Sequence, residues 1–216
     1  MEEGFEVAGH RLTLCPRPDE AENLGTGVHV WDSARDLARY LEQQRTTLRA
    51  LRKRGRVLEL GAGCGLAGIA SATVGQPPAA LVLTDLPGIV PLLTQNVSLN
   101  RDTLHPDTQV SIFAFDWRDL PPRPELSSVA PFDLILGADV VFRLDLVRPL
   151  IDSLDALSDA ATEILVAFEI RCDVTYAAFL SVAGERFGVK RVYVRRGGSG
   201  FVHIYQLRKK RRGRVD

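Results

Sequence analysis

A glycine-rich segment has the residue types and spacing of a nucleotide site. The apolar run Val57–Leu60 reads as a buried strand that leads into Gly61-Ala62-Gly63-Cys64-Gly65-Leu66-Ala67-Gly68. Glycines permit positive φ and let a ligand contact bare backbone, and the following helix presents unpaired N–H groups at its first turn. The segment therefore predicts a nucleotide-binding loop. The loop residues assigned to it are Gly61, Ala62, Gly63 and Gly65.

Two classes of nucleotide fit this loop. The stretch Gly63–Gly68 also satisfies the dinucleotide pattern G-x-G-x-x-G. Glu59 precedes the first glycine by two residues, and a carboxylate beside the loop would repel a pyrophosphate but attract an ammonium or sulfonium group. S-adenosylmethionine carries both cationic groups and no phosphate. We therefore expect S-adenosylmethionine, with Glu59 among its ligands, and an NAD-dependent oxidoreductase is the alternative.

Acidic and aromatic residues follow two further predicted strands. Asp85 stands 20 residues beyond Gly65, the spacing at which a carboxylate binds the hydroxyls of a ribose. Asp116 and Trp117 come after the next strand, where they could contact the amino group and ring of an adenine. A core aromatic beside a solvated acid explains the second pair equally well.

A second group of charged residues follows later strands. Asp139 comes directly after an apolar run, where a charge costs desolvation energy unless it has a partner, so a functional role is favoured. Glu169 and Arg171 follow the next strand. They either join the same site or simply pair with each other, and an exposed pair of that kind is worth ~0–1 kcal/mol.

Alternating strands and helices must position these residues. Strand patterns cover residues 56–60, 80–84, 109–115, 132–138 and 163–169, and helix patterns cover 33–51, 66–74, 89–99, 146–157 and 174–187. This order predicts a parallel sheet covered on both faces, with ligands at the carboxyl ends of its strands. Strands 189–194 and 201–207 predict an antiparallel hairpin at the edge. The proline-rich stretch 120–131 is predicted to be a loop.

Composition predicts one domain. The chain has 216 residues, of which 45% are hydrophobic and 25% charged, which suits a single core. We expect an N-terminal hairpin and loop at 1–24, a main domain at 25–207 and a basic tail at 208–216. Three cysteines without C-x-x-C spacing predict neither a disulfide framework nor a metal site.

Composition also bears on location and assembly. No apolar stretch approaches ~18 residues and the amino terminus lacks the pattern of a signal peptide, so no membrane partner is expected. We expect a cytoplasmic protein. The basic tail is read as a solvated, disordered end, and a nuclear-import signal or nucleic-acid contact is the alternative. A monomer is the default assembly.

Six segments, taken together in this order, resemble the seven-β-strand protein methyltransferases of the methyltransferase-like lysine group. That group includes enzymes that modify chaperones, an AAA+ ATPase and translation elongation factors. The resemblance covers about residues 25–207. It rests on Val28–Ala34, Glu59–Gly68, Thr84–Leu86, Asp116–Trp117, Ala138–Phe142 and Phe168–Arg171.

This resemblance implies a fold and a set of site residues. The fold is α/β, a class I methyltransferase Rossmann-like sheet of seven mostly parallel strands with a C-terminal antiparallel hairpin edge and helices on both faces. Asp139 and Phe142 match an acid-x-x-aromatic motif at the substrate entrance, with Phe where Tyr is frequent. The implied catalytic set is Asp139, Phe142, Glu169 and Arg171. The implied cofactor set is Trp31, Glu59, Gly61, Ala62, Gly63, Gly65, Asp85, Leu86, Asp116, Trp117 and Ala138.

The implied reaction is methyl transfer from S-adenosylmethionine to a protein lysine. The substrate would be a chaperone, an ATPase or a translation factor. Val140 and Val141 depart from the D/N-P-P-Y/F motif of nucleic-acid amino methyltransferases, so a nucleic-acid substrate is not expected. An arginine, a histidine or a small molecule as acceptor, and a non-catalytic interaction module on the same fold, remain as alternatives.

Overall fold

The protein is described by a computed structural model that covers residues 2–120, 124–196 and 200–210. The strands are β1 (Glu3–Val7), β2 (His10–Leu14), β3 (Arg56–Leu60), β4 (Ala80–Asp85), β5 (Gln109–Ala114), β6 (Leu134–Ala138), β7 (Glu163–Glu169), β8 (Phe187–Arg196) and β9 (Phe201–Lys209). The helices are α1 (Ala21–Leu24), α2 (Asp32–Gln43), α3 (Leu66–Thr73), α4 (Val90–Leu99), α5 (Pro124–Val129), α6 (Leu144–Leu157) and α7 (Asp173–Arg186).

Seven strands form one sheet in the order β5-β4-β3-β6-β7-β9-β8. The pairs among β3 to β7 are parallel, whereas β9 runs antiparallel to both β7 and β8. The predicted sheet and its antiparallel hairpin edge are therefore confirmed. The strand order reverses between β3 and β6, and such a reversal opens a crevice outside the carboxyl ends of the strands.

Helices cover both faces because successive side chains of a strand point to opposite sides. Val57, Leu81 and Leu134 pack with α2, α3 and α4 in one apolar core. Leu58 and Ile135 pack with α6 and α7 in the other. The predicted two-sided burial of the sheet is confirmed. In the described part of the chain, no helix is long and apolar enough to cross a membrane.

The predicted N-terminal hairpin is present as β1 and β2, which pair antiparallel. Its second strand is attached to α4, since Thr13 N donates to Asn100 Oδ1 and Cys15 N donates to Asn96 Oδ1, both at 2.8 Å. Leu12 belongs to the same core as α4. After the hairpin, the predicted loop contains a 3₁₀ turn, Pro18–Glu20, and the single turn α1.

The helix predicted over 33–51 is shorter in the structure. It ends at Gln43, where the N–H groups of Thr47 and Leu48 both donate to Gln44 O at 2.9 Å and turn the chain. A separate 3₁₀ turn, Arg49–Arg52, follows. Leu48 and Leu51 are buried. Their spacing therefore predicts burial correctly, but it does not indicate a continuous helix.

Two predictions near the C-terminal half are also corrected. The stretch 120–131 contains the helix α5, which starts at Pro124. Proline is tolerated there because the first N–H of a helix has no intrahelical partner. The final strand reaches Lys209, and Arg208 and Lys209 pair with Glu163 and Asp155. These two basic residues therefore belong to the sheet; residues 211–216 lie outside the described ranges.

Candidate functional site

A cavity of about 330 Å³ opens at the carboxyl ends of the central strands. It lies where the strand order reverses, and its volume falls in the range of small-molecule sites. Four strand ends and the chain before α2 supply its walls, so residues far apart in sequence meet there. The predicted site residues on its wall are Trp31, Gly61, Ala62, Gly63, Asp85, Leu86, Asp116, Trp117, Ala138, Asp139 and Phe142.

The glycine loop requires glycine for conformation and for packing. Gly61 and Gly63 have φ of +61° and +55°, a region that other residues enter at a cost. A Cβ on Gly63 would lie 2.9 Å from the carbonyl oxygen of Gly27, and one on Gly61 would lie 2.9 Å from the Val140 side chain. The loop thus packs directly against the segment that precedes α2.

Gly65 does not line the cavity, contrary to its prediction as a cofactor ligand. It is the residue before α3, with φ of +86°, and its N–H donates to Ala62 O at 2.7 Å. A Cβ there would meet the side chain of Leu93 at 2.8 Å. Gly65 therefore shapes the turn into α3 rather than contacting a ligand.

Asp85 faces the cavity and fixes the glycine loop. Its Oδ2 accepts from Gly63 N at 2.6 Å and its Oδ1 accepts from Leu86 N at 2.7 Å. Burial raises the pKa of Asp85 above its ordinary value, while these two backbone hydrogen bonds act to lower it. A carboxylate has about four acceptor positions, so Asp85 keeps capacity for hydroxyl donors in the cavity.

Glu59 lies beneath the loop, which corrects its predicted role. Its side chain shares a strand face with Val57, the face that α3 covers, and it is 1% exposed. Its Oε2 accepts from Gly68 N at 2.8 Å, and burial raises the pKa of Glu59 to about 8. A carboxyl with this pKa is mostly neutral at pH 7. Glu59 therefore supports the first turn of α3 and does not line the cavity.

Asp116 and Trp117 lie on the wall beyond β5. The Arg118 guanidinium binds the Asp116 carboxylate, with its Nε 2.9 Å from both oxygens, and its hydrogen bond holds the pKa of Asp116 below the usual range. The Trp117 ring packs beside Gly61, where a Cβ would come within 3.0 Å of it. Sequence reasoning missed Arg118, whose only signal was its position two residues after Asp116.

The segment before α2 covers the cavity. Trp31 Nε1 donates to the carbonyl oxygen of Thr26 at 3.1 Å, and the 3₁₀ turn Thr26–Val28 brings this backbone beside the glycine loop. Trp31 was predicted, but its neighbours were not. The Gly25-Thr26-Gly27 run was the available signal for them. The missed cavity residues of this segment are Gly25, Thr26, Gly27, His29 and Val30.

Asp139 and Glu169 are bridged by Arg171. Asp139 adopts φ of +57°, and both of its carboxylate oxygens accept from Arg171, at 2.9 and 3.0 Å. Arg171 Nη2 also lies 2.9 Å from Glu169 Oε2. The hydrogen bond to Asp139 raises the pKa of Arg171. Glu169 and Arg171 therefore pair with each other, and Arg171 also pairs with Asp139.

These three residues divide between two adjoining spaces. Asp139 lines the large cavity, whereas Glu169 and Arg171 line a small crevice beside it and do not reach the large one. Phe142 lines both and is partly exposed. Phe142 thus stands between the large cavity and the outer surface, next to the bridged acids.

Known proteins are similar to this chain over most of its length. A family model described as lysine methyltransferase matches residues 13–185. Protein N-lysine methyltransferase METTL21A of Danio rerio is 32% identical over 202 residues, which cover 94% of this chain and 85% of the relative. EEF1A lysine methyltransferase 3 of Xenopus tropicalis is 30% identical over 187 residues, which cover 86% of this chain and 76% of the relative.

Solved structures share the fold at low sequence identity. The ribosomal protein L11 methylase of Lactobacillus delbrueckii subsp. bulgaricus superposes with a TM-score of 0.57 at 16% identity, covering 84% of this chain and 81% of that one. TrmN of Thermus thermophilus superposes with a TM-score of 0.61 at 17% identity, covering 82% of this chain and 48% of that one. These likenesses place the sheet and its helices in a fold that methyltransferases use.

Proposed function

The chain belongs to the lysine methyltransferase family, and from this premise we propose that it transfers a methyl group from S-adenosylmethionine to the ε-amine of a lysine in a protein. One observation carries the proposal most directly. The cavity of about 330 Å³ holds Asp85 beside the glycine loop at one end and Asp139 with Phe142 at the other. This arrangement supports a cofactor site and an acceptor entrance that share one space.

The residues on the wall fit S-adenosylmethionine. Asp85 offers acceptor positions suited to the two hydroxyls of a ribose. Leu86 and Trp117 supply apolar surface for the adenine, and the backbone of Gly61 and Gly63 leaves room for the methionine part. S-adenosylmethionine, when bound, supplies a methyl group on a positively charged sulfur. Asp116, which also accepts from Arg118, would accept from the adenine amino group.

The acceptor end has the charge that a lysine requires. Two carboxylates, Asp139 and Glu169, share one guanidinium, so the cluster has a formal charge of −1. A lysine ammonium would be drawn towards Asp139, and Phe142 would flank the aliphatic stem. The amine must lose a proton from a pKa of ~10.4 before it can act as nucleophile. Desolvation of the amine and the nearby sulfonium charge would lower that pKa, and alignment of the amine would then supply most of the acceleration.

A translation elongation factor is the first protein substrate to test. One relative is named as a lysine methyltransferase of EEF1A, and the resemblance includes enzymes that modify chaperones and an AAA+ ATPase. We infer that the substrate belongs to one of these three classes. The exposed side chain of Phe142 at the proposed entrance leaves room for a protein surface to approach.

Labelling of a cell extract tests the proposed function. The purified protein is incubated with the extract and isotope-labelled S-adenosylmethionine, and the labelled peptides are identified by mass spectrometry. A labelled lysine supports the proposal, whereas a labelled arginine or histidine would replace lysine as the acceptor. Binding of S-adenosylmethionine without labelling in several extracts would favour a non-catalytic interaction module.

A further inference from the structure

Arg171 is held between two carboxylates that are far less exposed than it is. Its side chain is 38% exposed, whereas the side chains of Asp139 and Glu169 are 6% and 7% exposed. Two nearly buried acids next to each other repel unless a cation lies between them. The guanidinium therefore closes an acidic recess from the solvent side.

The recess matches the shape of a guanidinium. Two nitrogens of Arg171 meet the two oxygens of Asp139 in parallel at 2.9 and 3.0 Å, the fork-to-fork geometry that only a planar guanidinium makes. The central carbon of the group lies 4.9 Å from the ring centroid of Trp31, a distance at which a cation is attracted to an indole face. Two acids and an aromatic face thus enclose one planar cation.

We propose that Asp139, Glu169 and Trp31 form a guanidinium-binding site that the chain fills with its own Arg171. This assignment makes Arg171 a positioning residue, since it fixes the Asp139 carboxylate at the edge of the large cavity. Arg171 also connects Asp139 to Trp31, and both of these residues line the large cavity.

The choice of acceptor follows, and this part rests on the proposed function. A substrate arginine would have to displace a tethered guanidinium, whose effective concentration at the recess is on the order of millimolar or higher. A lysine ammonium is a compact charge that needs no such fork. It can use the remaining negative charge of the cluster from the side of Phe142. The filled recess therefore favours an amine over a guanidinium as acceptor.

Thermal unfolding with a small cation tests the recess directly. Arg171→Ala should bind methylguanidinium, so its melting temperature should rise saturably over concentrations of about 1–20 mM, whereas equal methylammonium should have little effect. N-acetylarginine amide should stabilise the same variant. The melting temperature of the wild-type chain should respond to neither methylguanidinium nor N-acetylarginine amide, because its recess is filled.

Arg148→Ala is the matched control. Arg148 makes a forked pair with Glu185 at 2.6 and 2.8 Å on the surface, outside both spaces of the site. This variant loses a pair of the same chemistry but creates no recess. If methylguanidinium raises the melting temperature of Arg171→Ala no more than that of Arg148→Ala, the guanidinium site is refuted.

Labelling of protein in an extract tests the positioning role. Arg171→Ala should label at least about tenfold less than the wild type, and methylguanidinium should restore a large part of the loss. Arg171→Lys keeps the charge without the fork, so it should fold and bind S-adenosylmethionine normally but label less. If Arg171→Lys labels protein as much as the wild type does, the proposal is refuted. The comparison of Arg171→Lys with the wild type replaces the Arg171→Ala experiment if Arg171→Ala does not fold.

The two proposals fail in different ways. The melting measurement needs no methyl transfer, so a selective response to methylguanidinium supports the recess even if no lysine is labelled. In that case only the proposed function fails. If lysine is labelled but Arg171→Ala shows no selective response to methylguanidinium, the proposed function stands and the guanidinium site is overturned.

Discussion

The carboxylate of Asp85 accepts the backbone N–H of Gly63 at 2.6 Å. The acid that ends β4 therefore holds the loop that follows β3, and the loop cannot shift without breaking a buried hydrogen bond. The same carboxylate is the proposed acceptor for ribose hydroxyls. Under this proposal, loop conformation and cofactor affinity would be coupled through one side chain.

Asp85→Asn should lower the affinity for S-adenosylmethionine by at least about tenfold, because one unsatisfied buried polar group costs roughly 1–3 kcal/mol. Both carboxylate oxygens accept backbone N–H groups, so the amide NH₂ of asparagine would face one of these donors. Isothermal titration calorimetry measures the change. Asp107→Asn, at an exposed position, should bind normally, and equal affinities for the two variants would contradict the assignment.

Gly63→Ala should weaken cofactor binding and lower stability. Alanine at a φ of +55° costs ~1–2 kcal/mol, and its Cβ would lie 2.9 Å from Gly27 O. Gly184→Ala is the matched control, since no atom lies within 4 Å of the added Cβ in α7. That change should stabilise the fold by ~0.5–1 kcal/mol. Urea unfolding and calorimetry together check both expectations.

Asp139→Asn should reduce protein labelling by roughly 10²-fold, the scale of losing one preorganised electrostatic contact. Asparagine tolerates the φ of +57° at this position, so the backbone should be unchanged. Affinity for S-adenosylmethionine should therefore stay at the wild-type value while turnover falls. Asp102→Asn serves as an exposed control. Full labelling by Asp139→Asn would remove Asp139 from the acceptor site.

Glu59→Gln should change how stability depends on pH. The folded protein raises the pKa of Glu59 from 4.5 to about 8, so its stabilising contribution is fully present below pH 4.5 and is lost as pH rises towards 8. The wild type should therefore lose stability relative to Glu59→Gln across this window, by at most about 1.4 kcal/mol per pH unit. Urea unfolding at several pH values measures the difference. A constant difference would mean that the Glu59 pKa is not raised.

Periodicity predicted the sheet well because parallel strands buried on both faces are nearly continuous apolar runs. It predicted the end of α2 poorly, since buried Leu48 precedes a 3₁₀ turn and buried Leu51 lies in it, at a spacing that also suits a helix. Pro124 was read as a helix breaker, yet it begins α5. Residue type alone does not tell whether a proline stands at the start or inside a helix.

The sequence predicts that residues at strand ends meet, and Asp85 and Asp139 do line one cavity. The site was mispredicted for Glu59, because the sequence does not say which face of β3 its carboxylate occupies or that burial makes it mostly neutral. The argument from charge against a dinucleotide therefore fails in this fold. Membership of the lysine methyltransferase family, shown by the match over residues 13–185, replaces it.

The last strand in the described part of the chain, β9, lies inside the sheet between β7 and β8. On the ribosome, β7 and β8 are therefore made before the strand that joins them. Until residues 201–209 emerge, β7 presents an open edge, and both cores lack residues that β9 supplies, among them Ile204 and Tyr205. Open edges attract other chains. The nascent protein thus completes its sheet only after residues 201–209 emerge, and the edge of β7 stays open to other chains until then.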